Sequence, residues 1–167
     1  MQKEVIGLNS EQPCNDLEQA MQKHGPYVQR LAFVYMKNRY DAEDAAQEVF
    51  VAYLEKAPQF DSAQKEKAWL MKVTANRCKS MLRAKYRLEL PIPDDLSYLP
   101  PEENLLLSAV LRLEEKYRIP IHLHYYEGYS LAEIARLMNT TGGTVASWLS
   151  RARSKLMQEL KEDYFDE

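Results

Sequence analysis

The stretch SLAEIARLMNTTGGTVASWLSRARSKL, residues 130–156, decides the fold of the second half of this chain. Ser130 is followed three residues later by Glu133, which is the capping-box spacing that starts a helix. Apolar residues then recur at helical spacing, at Leu131, Ile134, Ala135 and Met138. Residues 139–141 break this pattern, and Thr141 is a suitable cap for a second helix. The stretch therefore predicts two short helices joined by a tight turn.

The second of these helices combines a buried stripe with basic outer faces. The stripe that we expect to be buried is Val145, Leu149, Ala152 and Leu156. The candidate DNA-contacting residues on the other faces are Thr144, Ser147, Trp148, Arg151, Arg153 and Lys155. No acidic residue occurs between Thr141 and Met157. Such a helix pair is typical of a protein that reads the DNA major groove, although a basic helix face is often only solvated.

Composition restricts the class of protein. The chain has 167 residues, of which 46% are hydrophobic, so one or two small helical domains with packed cores are expected. No run approaches the ~20 apolar residues of a membrane span, so we expect no membrane insertion of this chain. The N-terminus lacks the features of a signal peptide. Cys14 and Cys78 suggest no disulfide framework, and a reduced, cytoplasmic location is the simpler interpretation.

The charge of the chain is distributed unevenly. The formal net charge is −3, which argues against general coating of nucleic acid. Lysine and arginine nevertheless dominate residues 61–90 and 151–155, whereas residues 91–115 and 159–167 are acidic. Two basic zones in an acidic chain suit a protein that contacts a phosphate backbone at two places.

The remaining pattern predicts an all-α protein of two small helical domains. Strand signals are nearly absent. We expect a helix from about Asp16 to Asn38, broken near Gly25–Pro26, a second over 41–56 and a third over about 67–87, with a polar loop over 60–66. Pro120 is expected to open a short helix and Gly128 to close it.

Four prolines interrupt the helical pattern in the middle of the chain. The sequence LPIPDDLSYLPPEE cannot form a regular helix, because proline lacks the amide donor and clashes with the preceding turn. We interpret it as an extended, acidic, proline-containing linker. The predicted organisation is a flexible N-terminus (1–15), a helical domain (16–88), the linker (89–103) and a helix-turn-helix domain (104–167).

No catalytic residue, cofactor site or metal site is expected. His122 and His124 are two residues apart, so a helix would direct them to different faces. No CxxC or HExxH motif occurs, and neither a nucleophile–base pair nor a phosphate-binding glycine loop is visible.

Several segments together resemble the extracytoplasmic-function (ECF) group of bacterial sigma factors. The segments that resemble this family are DAEDAAQEVF (41–50), KAWLMKVTANRCKSMLR (67–83), YRIPIHLHYYEGYSLAEIARLM (117–138) and GTVASWLSRARSKL (143–156). No single segment is conclusive, but their order, with an acidic linker between the second and the third, is specific to the family. The resemblance covers about residues 16–160. It implies a first domain that docks on core RNA polymerase and opens the promoter −10 element, and a second that reads the −35 element.

The resemblance also assigns residues in the first domain. Asp44, Gln47 and Glu48 share one helix face and match the positions with which the family binds a coiled coil of the polymerase. The residues expected at the −10 element are Lys72, Asn76, Arg77, Lys79 and Arg83. Phe60 either stacks on a DNA base or packs into the core. Trp69 either inserts between the DNA strands as they separate or, in the interpretation that we favour, packs in the core.

The recognition helix departs from the common family pattern. Family members often carry a basic residue at the position of Ala146 and arginine at that of Trp148, and Gly142 and Gly143 weaken the helix start. Trp148 can contact a thymine methyl, shield the DNA backbone or pack beneath the domain. These departures leave the promoter sequence open.

The resemblance implies a sigma factor that is monomeric when free, with core RNA polymerase, promoter DNA and an anti-sigma factor as partners and no enzymatic activity of its own. The main alternative is a stand-alone helix-turn-helix regulator that dimerises on duplex operators. A third interpretation is an inactive sigma-like adaptor that retains the face of Asp44, Gln47 and Glu48 and does not bind DNA.

Overall fold

The structure is a computed structural model that describes residues 12–56, 58–90 and 104–165. These residues form seven α-helices and one π-helix and contain no β-strand. The helices are α1 (Gln12–Met36), α2 (Arg39–Lys56), α3 (Ala63–Arg87), α4 (Asn104–Arg112), α5 (Glu115–Ile121), the π-helix (His122–Tyr126), α6 (Leu131–Met138) and α7 (Gly142–Phe165). The all-α prediction is confirmed. No helix in the described part is long and apolar enough to cross a membrane.

Helix α1 is longer and more regular than predicted. It begins at Gln12, inside the segment 1–15 that we expected to be flexible, and it continues through Pro26. The predicted break near Gly25–Pro26 is therefore wrong. Pro26 is exposed, so a carbonyl that loses its helical donor there can be hydrated.

Helix α3 starts earlier than predicted. Its cap is Ser62, whose hydroxyl accepts a hydrogen bond from the Lys65 amide at 3.2 Å. The polar loop predicted over residues 60–66 is therefore wrong for residues 63–66, which are helical. A serine cap followed by exposed polar residues forms a helix start without any apolar periodicity to reveal it.

The middle of the second half differs from the prediction around Pro120. Pro120 does not open a helix, because α5 already begins at Glu115 and contains Pro120 in its interior. The chain then continues as a π-helix, closed by a hydrogen bond from the Glu127 amide to the His122 carbonyl at 3.2 Å. Gly128 follows with φ 72°, so the prediction that a glycine ends this segment is confirmed.

Helices α6 and α7 form the predicted helix-turn-helix. Both hydrogen bonds of the capping box between Ser130 and Glu133 are present. Thr141 caps α7, because its hydroxyl accepts from the Thr144 amide at 3.2 Å. The apolar face of α6 needs a correction, since Leu131 is exposed and Leu137 is buried in its place.

The two halves of the chain share one hydrophobic core. Its buried residues come from α1, α2 and α3 and also from α4, α5, the π-helix, α6 and α7. Contacts between α1 and α5 and between α3 and α6 join the halves. We call this packing of residues 12–90 against residues 104–165 the closed arrangement. The linker predicted over residues 89–103 lies outside the described residues, apart from Glu89 and Leu90 at the end of α3.

Candidate polymerase and nucleic-acid interfaces

Helix α2 presents an exposed face that mixes carboxylates with apolar side chains. Asp44, Gln47 and Glu48 are all exposed, as their predicted docking role requires. Val51 and Leu54 continue the same face and are 52% and 42% exposed. Sequence reasoning missed these two, although their spacing from Gln47 was a visible signal. Two exposed aliphatic side chains beside charged groups give a face that can bury apolar area against a partner.

The basic stripe of α3 is only partly available. Asn76 and Arg83 are exposed, and Lys79 is half-buried between them on the same face. Arg77 lies one residue beyond Asn76, about a quarter turn away, and forms an ion pair with Glu48 of α2. Arg77, which we predicted to contact the −10 element, therefore pairs with Glu48, which we predicted to contact the polymerase.

Lys72 is held by the second half of the chain. Its ammonium donates to the Leu137 carbonyl at 2.7 Å, to the Arg136 carbonyl at 3.2 Å and to Asn139 Oδ1 at 2.8 Å. These oxygens stand at the C-terminal end of α6, where helix carbonyls have no helical donors and the dipole favours a cation. Burial, together with the charge of Lys79, lowers the pKa of Lys72. Sequence reasoning assigned Lys72 to DNA and did not foresee this contact.

The aromatic residues near the start of α3 pack together. Phe60 and Trp69 are half-buried with ring centroids 5.9 Å apart, and Tyr53 meets the same indole edge-on at 6.0 Å. Both rings belong to the margin of the second, smaller core of α1, α2 and α3. In this structure Trp69 takes the core role that we favoured, and Phe60 packs on it.

The exposed face of α7 carries few charges. Ser147 and Arg151 are exposed, whereas Thr144 is half-buried and its hydroxyl bonds to that of Thr141 at 2.9 Å. Trp148 is half-buried and packs against the main core, which matches one of its three suggested roles. Arg151 lies one helical turn after Ser147 on the same side of α7, so these two exposed residues share one face.

Lys155 lies one helical turn after Arg151 on the same side of α7, whereas Arg153 lies on nearly the opposite side. Arg153 donates to the Tyr125 hydroxyl at 2.8 Å, and Tyr125 belongs to the π-helix. The Lys155 ammonium lies 5.6 Å from the centre of the Tyr117 ring. Arg153 is two positions after Arg151, which is more than half a helical turn, so the structure does not place all six predicted residues on one face. The flanking cations suit phosphates rather than base edges.

An ion pair joins α1 to the residue that follows the π-helix. The Arg30 guanidinium donates to both oxygens of the Glu127 carboxylate, at 2.7 and 3.2 Å. Burial alone would raise the pKa of Glu127, but the nearby His122 ring and the hydrogen bonds from Arg30 outweigh burial and lower that pKa to about 2. The Glu127 side chain is 2% exposed, so this pair is sheltered on the carboxylate side.

A buried arginine holds the ends of two helices. Arg118 of α5 is 5% exposed and donates to the carbonyls of Val34 at 2.6 Å, Tyr35 at 3.3 Å and Leu113 at 2.7 Å. The first two carbonyls lie in the last turn of α1, and the third follows α4. Sequence reasoning missed Arg118. Its signal was a single charged residue in the otherwise apolar run that follows Tyr117.

Among the described residues, no group of three or more histidine, cysteine, aspartate or glutamate side chains could hold a metal ion. The thiol of Cys78 is buried, and burial raises its pKa to about 12. The exposed faces of α2, α3 and α7 can therefore bind partners through the charged and polar side chains described above.

Comparison with known families matches both halves of the chain. The model of sigma-70 region 2 matches residues 20–88, and the model of sigma-70 region 4 matches residues 103–156. The ECF RNA polymerase sigma factor SigW of Bacillus subtilis is 27% identical over 156 residues, covering 81% of this chain and 83% of that protein. SigM of Mycobacterium tuberculosis is 28% identical over 149 residues, covering 86% and 76%.

Solved structures share the fold. The sigma factor RpoE in complex with the anti-sigma factor NepR from Bartonella quintana superposes with a TM-score of 0.72 at 24% identity, covering 87% of this chain and 97% of that one. CnrH in complex with the cytosolic domain of CnrY gives a TM-score of 0.63 at 25% identity, covering 88% of each chain.

Proposed function

The chain belongs to the ECF group of RNA polymerase sigma factors, and on this premise we propose that it binds core RNA polymerase and directs it to promoters. The first half, matched by region 2, docks on the polymerase and opens the −10 element. The second half, matched by region 4, reads the −35 element. The polymerase performs the chemistry, so this chain needs no catalytic residue, and it works in the cytoplasm.

The proposed contacts follow the exposed faces. Docking uses Asp44, Gln47 and Glu48, and the exposed Val51 and Leu54 extend the same face. The −10 contacts are Asn76, Lys79 and Arg83 with Lys72 and Arg77, and the −35 contacts are Ser147 and Arg151 with Thr144, Trp148, Arg153 and Lys155.

One observation carries the proposal: segments that match sigma-70 region 2 and sigma-70 region 4 occur in one chain, in that order. A bidentate Arg151–guanine contact would supply base discrimination, and the flanking cations would supply phosphate contacts. A stand-alone operator-binding regulator needs only α6 and α7. That alternative does not explain why residues 20–88 match sigma-70 region 2.

One solved neighbour is a sigma factor in complex with the anti-sigma factor NepR, and another is CnrH in complex with the cytosolic domain of CnrY. We propose that an anti-sigma factor also restrains this chain, which is monomeric when free. Such a partner would act by covering the polymerase-binding and DNA-binding faces.

The test is reconstituted transcription. The purified chain is mixed with bacterial core RNA polymerase and a library of random promoter DNA, and transcript start sites are sequenced. Starts that share a pair of upstream motifs establish the proposed function. Complex formation without such starts indicates an adaptor, and the absence of any complex indicates a polymerase-independent regulator.

A further inference from the structure

A basic cavity of about 760 Å³ lies where the end of α1, the second half of α3 and the start of α5 meet. Its volume is within the range of ~300–1,000 Å³ that is usual for sites that bind small molecules. Lys79 and Arg83, which line the cavity, are also proposed −10 contacts. The proposed function uses none of the other residues described in the lining.

The wall that α3 contributes to the cavity is positively charged. Lys79, Arg83 and Arg87 follow one another at intervals of four residues, so they lie on one face of the helix. None of the three forms an ion pair with a carboxylate of the residues that the structure describes. The acidic residue described in the lining is Glu115, at the start of α5. A concave surface with this excess of cations concentrates anions.

Lys37 adds a cationic side chain from the end of α1, at a position where glycine is the usual residue. The Lys37 amide donates to the Phe33 carbonyl at 2.7 Å and its φ is 59°, so a left-handed residue closes α1. A side chain is disfavoured in this conformation, which glycine adopts freely. Lysine therefore gives the helix end no advantage over glycine, but it does bring a positive charge to the lining of the cavity.

Tyr35 supplies a buried hydroxyl to the wall of the cavity. The residue lines the cavity and is 1% exposed, and among the described residues no atom accepts a hydrogen bond from its hydroxyl. Burial raises the pKa of Tyr35, so the hydroxyl keeps its proton at neutral pH and is a donor. Buried hydroxyls nearly always have a hydrogen-bond partner in folded proteins. An anion oxygen bound in the cavity would be such an acceptor.

The rim of the cavity offers a surface for an aromatic ring. Tyr86 is 81% exposed at the rim, and Leu82, one helical turn earlier on α3, is half-buried. An exposed tyrosine can stack on a nucleobase of any kind, because every base has a π-face. The Glu115 carboxylate can accept a hydrogen bond from an amino or hydroxyl group of a ligand. Cations and an aromatic platform together favour a ligand that is both polyanionic and aromatic.

We propose that this cavity binds a nucleoside triphosphate. The cations of α3 and Lys37 bind the phosphates, the Tyr35 hydroxyl donates to a phosphate oxygen, and the base stacks on Tyr86. Inorganic phosphate would satisfy the cations but would leave the aromatic rim without a contact. One consequence rests on the sigma function proposed above: because Lys79 and Arg83 are also proposed −10 contacts, bound nucleotide and promoter DNA compete for these two side chains.

Binding is measured by isothermal titration calorimetry on the full chain, without polymerase. The ligands are ATP and GTP, and the partial ligands for comparison are inorganic triphosphate and adenosine. We expect one saturable site per chain for a nucleoside triphosphate. Inorganic triphosphate, which lacks the base, should bind at least about fivefold more weakly, because it loses the stacking of one base. Adenosine, which lacks every phosphate, should bind more weakly than ATP.

Two variants remove single groups from the site. Tyr35→Phe removes only the hydroxyl and should weaken nucleotide binding about tenfold, because a hydrogen bond to a charged group is lost. The melting temperature of this variant without ligand should equal or exceed that of the wild type, because a buried hydroxyl without an acceptor does not stabilise the fold. Lys37→Gly removes the ammonium at a backbone conformation that glycine adopts freely, and it should also weaken binding about tenfold.

The matched control is Lys56→Gln, which also removes one positive charge. Lys56 is exposed at the last residue of α2, about 25 Å from the first residue of that helix at ~1.5 Å per residue. Lys37 lies just before the start of α2, at the opposite end. The nucleotide affinity of Lys56→Gln should therefore equal that of the wild type.

The site is refuted if no saturable nucleotide binding occurs, if inorganic triphosphate binds as tightly as ATP and GTP, or if Lys56→Gln weakens binding as much as Lys37→Gly. A lower melting temperature for Tyr35→Phe would also contradict it, because the hydroxyl would then have a partner in the free chain. Every measurement uses the free chain. A failure of reconstituted transcription therefore refutes the sigma function and leaves the nucleotide site intact, whereas a failure of nucleotide binding leaves the sigma function intact.

Discussion

Substitution of the buried Arg118 by methionine tests the packing of the two halves most directly. Arg118→Met retains much of the apolar stem and removes three hydrogen bonds to the carbonyls of Val34, Tyr35 and Leu113. Each buried carbonyl left without a donor costs about 1 kcal/mol or more, so the free energy of unfolding falls by at least about 3 kcal/mol. Loss of one partner from a buried charged network gives a similar cost, about 3–5 kcal/mol. For a chain of this size the melting temperature falls by about 6–12 °C.

The assay is urea unfolding followed by circular dichroism, with thermal melting as a second readout. The matched control is Arg112→Met, because Arg112 is an exposed arginine in the same half that pairs with Glu159 at the surface. That variant should lose less than about 1 kcal/mol. If Arg118→Met costs no more than Arg112→Met, Arg118 does not hold the ends of α1 and α4 in solution, and the closed arrangement is refuted with it.

Three further predictions concern polymerase docking, promoter reading and pH. The double charge swap of Asp44 and Glu48 to lysine should abolish binding to core polymerase in a pull-down, whereas the variant Glu18→Lys, changed at an exposed position of α1, should bind normally. Arg151→Ala should lower −35-dependent transcription about tenfold to hundredfold and relax base preference at one position, measured on a randomised −35 library. Because the pKa of Glu127 lies below its usual value, its stabilising effect is present above about pH 4.5 and is lost as pH falls through about 2. Melting temperatures from pH 5 to 2 should therefore fall less steeply for Glu127→Gln than for the wild type, and equal slopes would contradict the ion pair.

The local features of the helix-turn-helix were readable from the sequence because they depend on neighbouring residues. The capping box of Ser130 and Glu133, the cap at Thr141 and the buried stripe of α7 from Val145 to Leu156 all formed as predicted. Exposure of Asp44, Gln47 and Glu48 followed from the same helical periodicity.

Long-range partners were not readable, because nothing in the local pattern encodes them. Lys72 has the spacing of a DNA-contacting lysine, and its actual acceptors lie more than sixty residues away. Arg118 was hidden in an apolar run for the same reason. The π-helix was missed because proline is a strong signal for a helix start, and here the surrounding packing overrides it at Pro120.

The buried arginine also limits how freely this chain can be recombined with its relatives. A chimera that takes residues 104–165 from another sigma factor would face the last turn of α1 with whatever side chain replaces Arg118. Without the Arg118 guanidinium as a donor, the carbonyls of Val34 and Tyr35 would have to be hydrated. The transplanted half could then no longer pack against α1 as it does in this chain. Chimeras designed to exchange promoter specificity should therefore transfer α7 alone, or carry Arg118 with the graft.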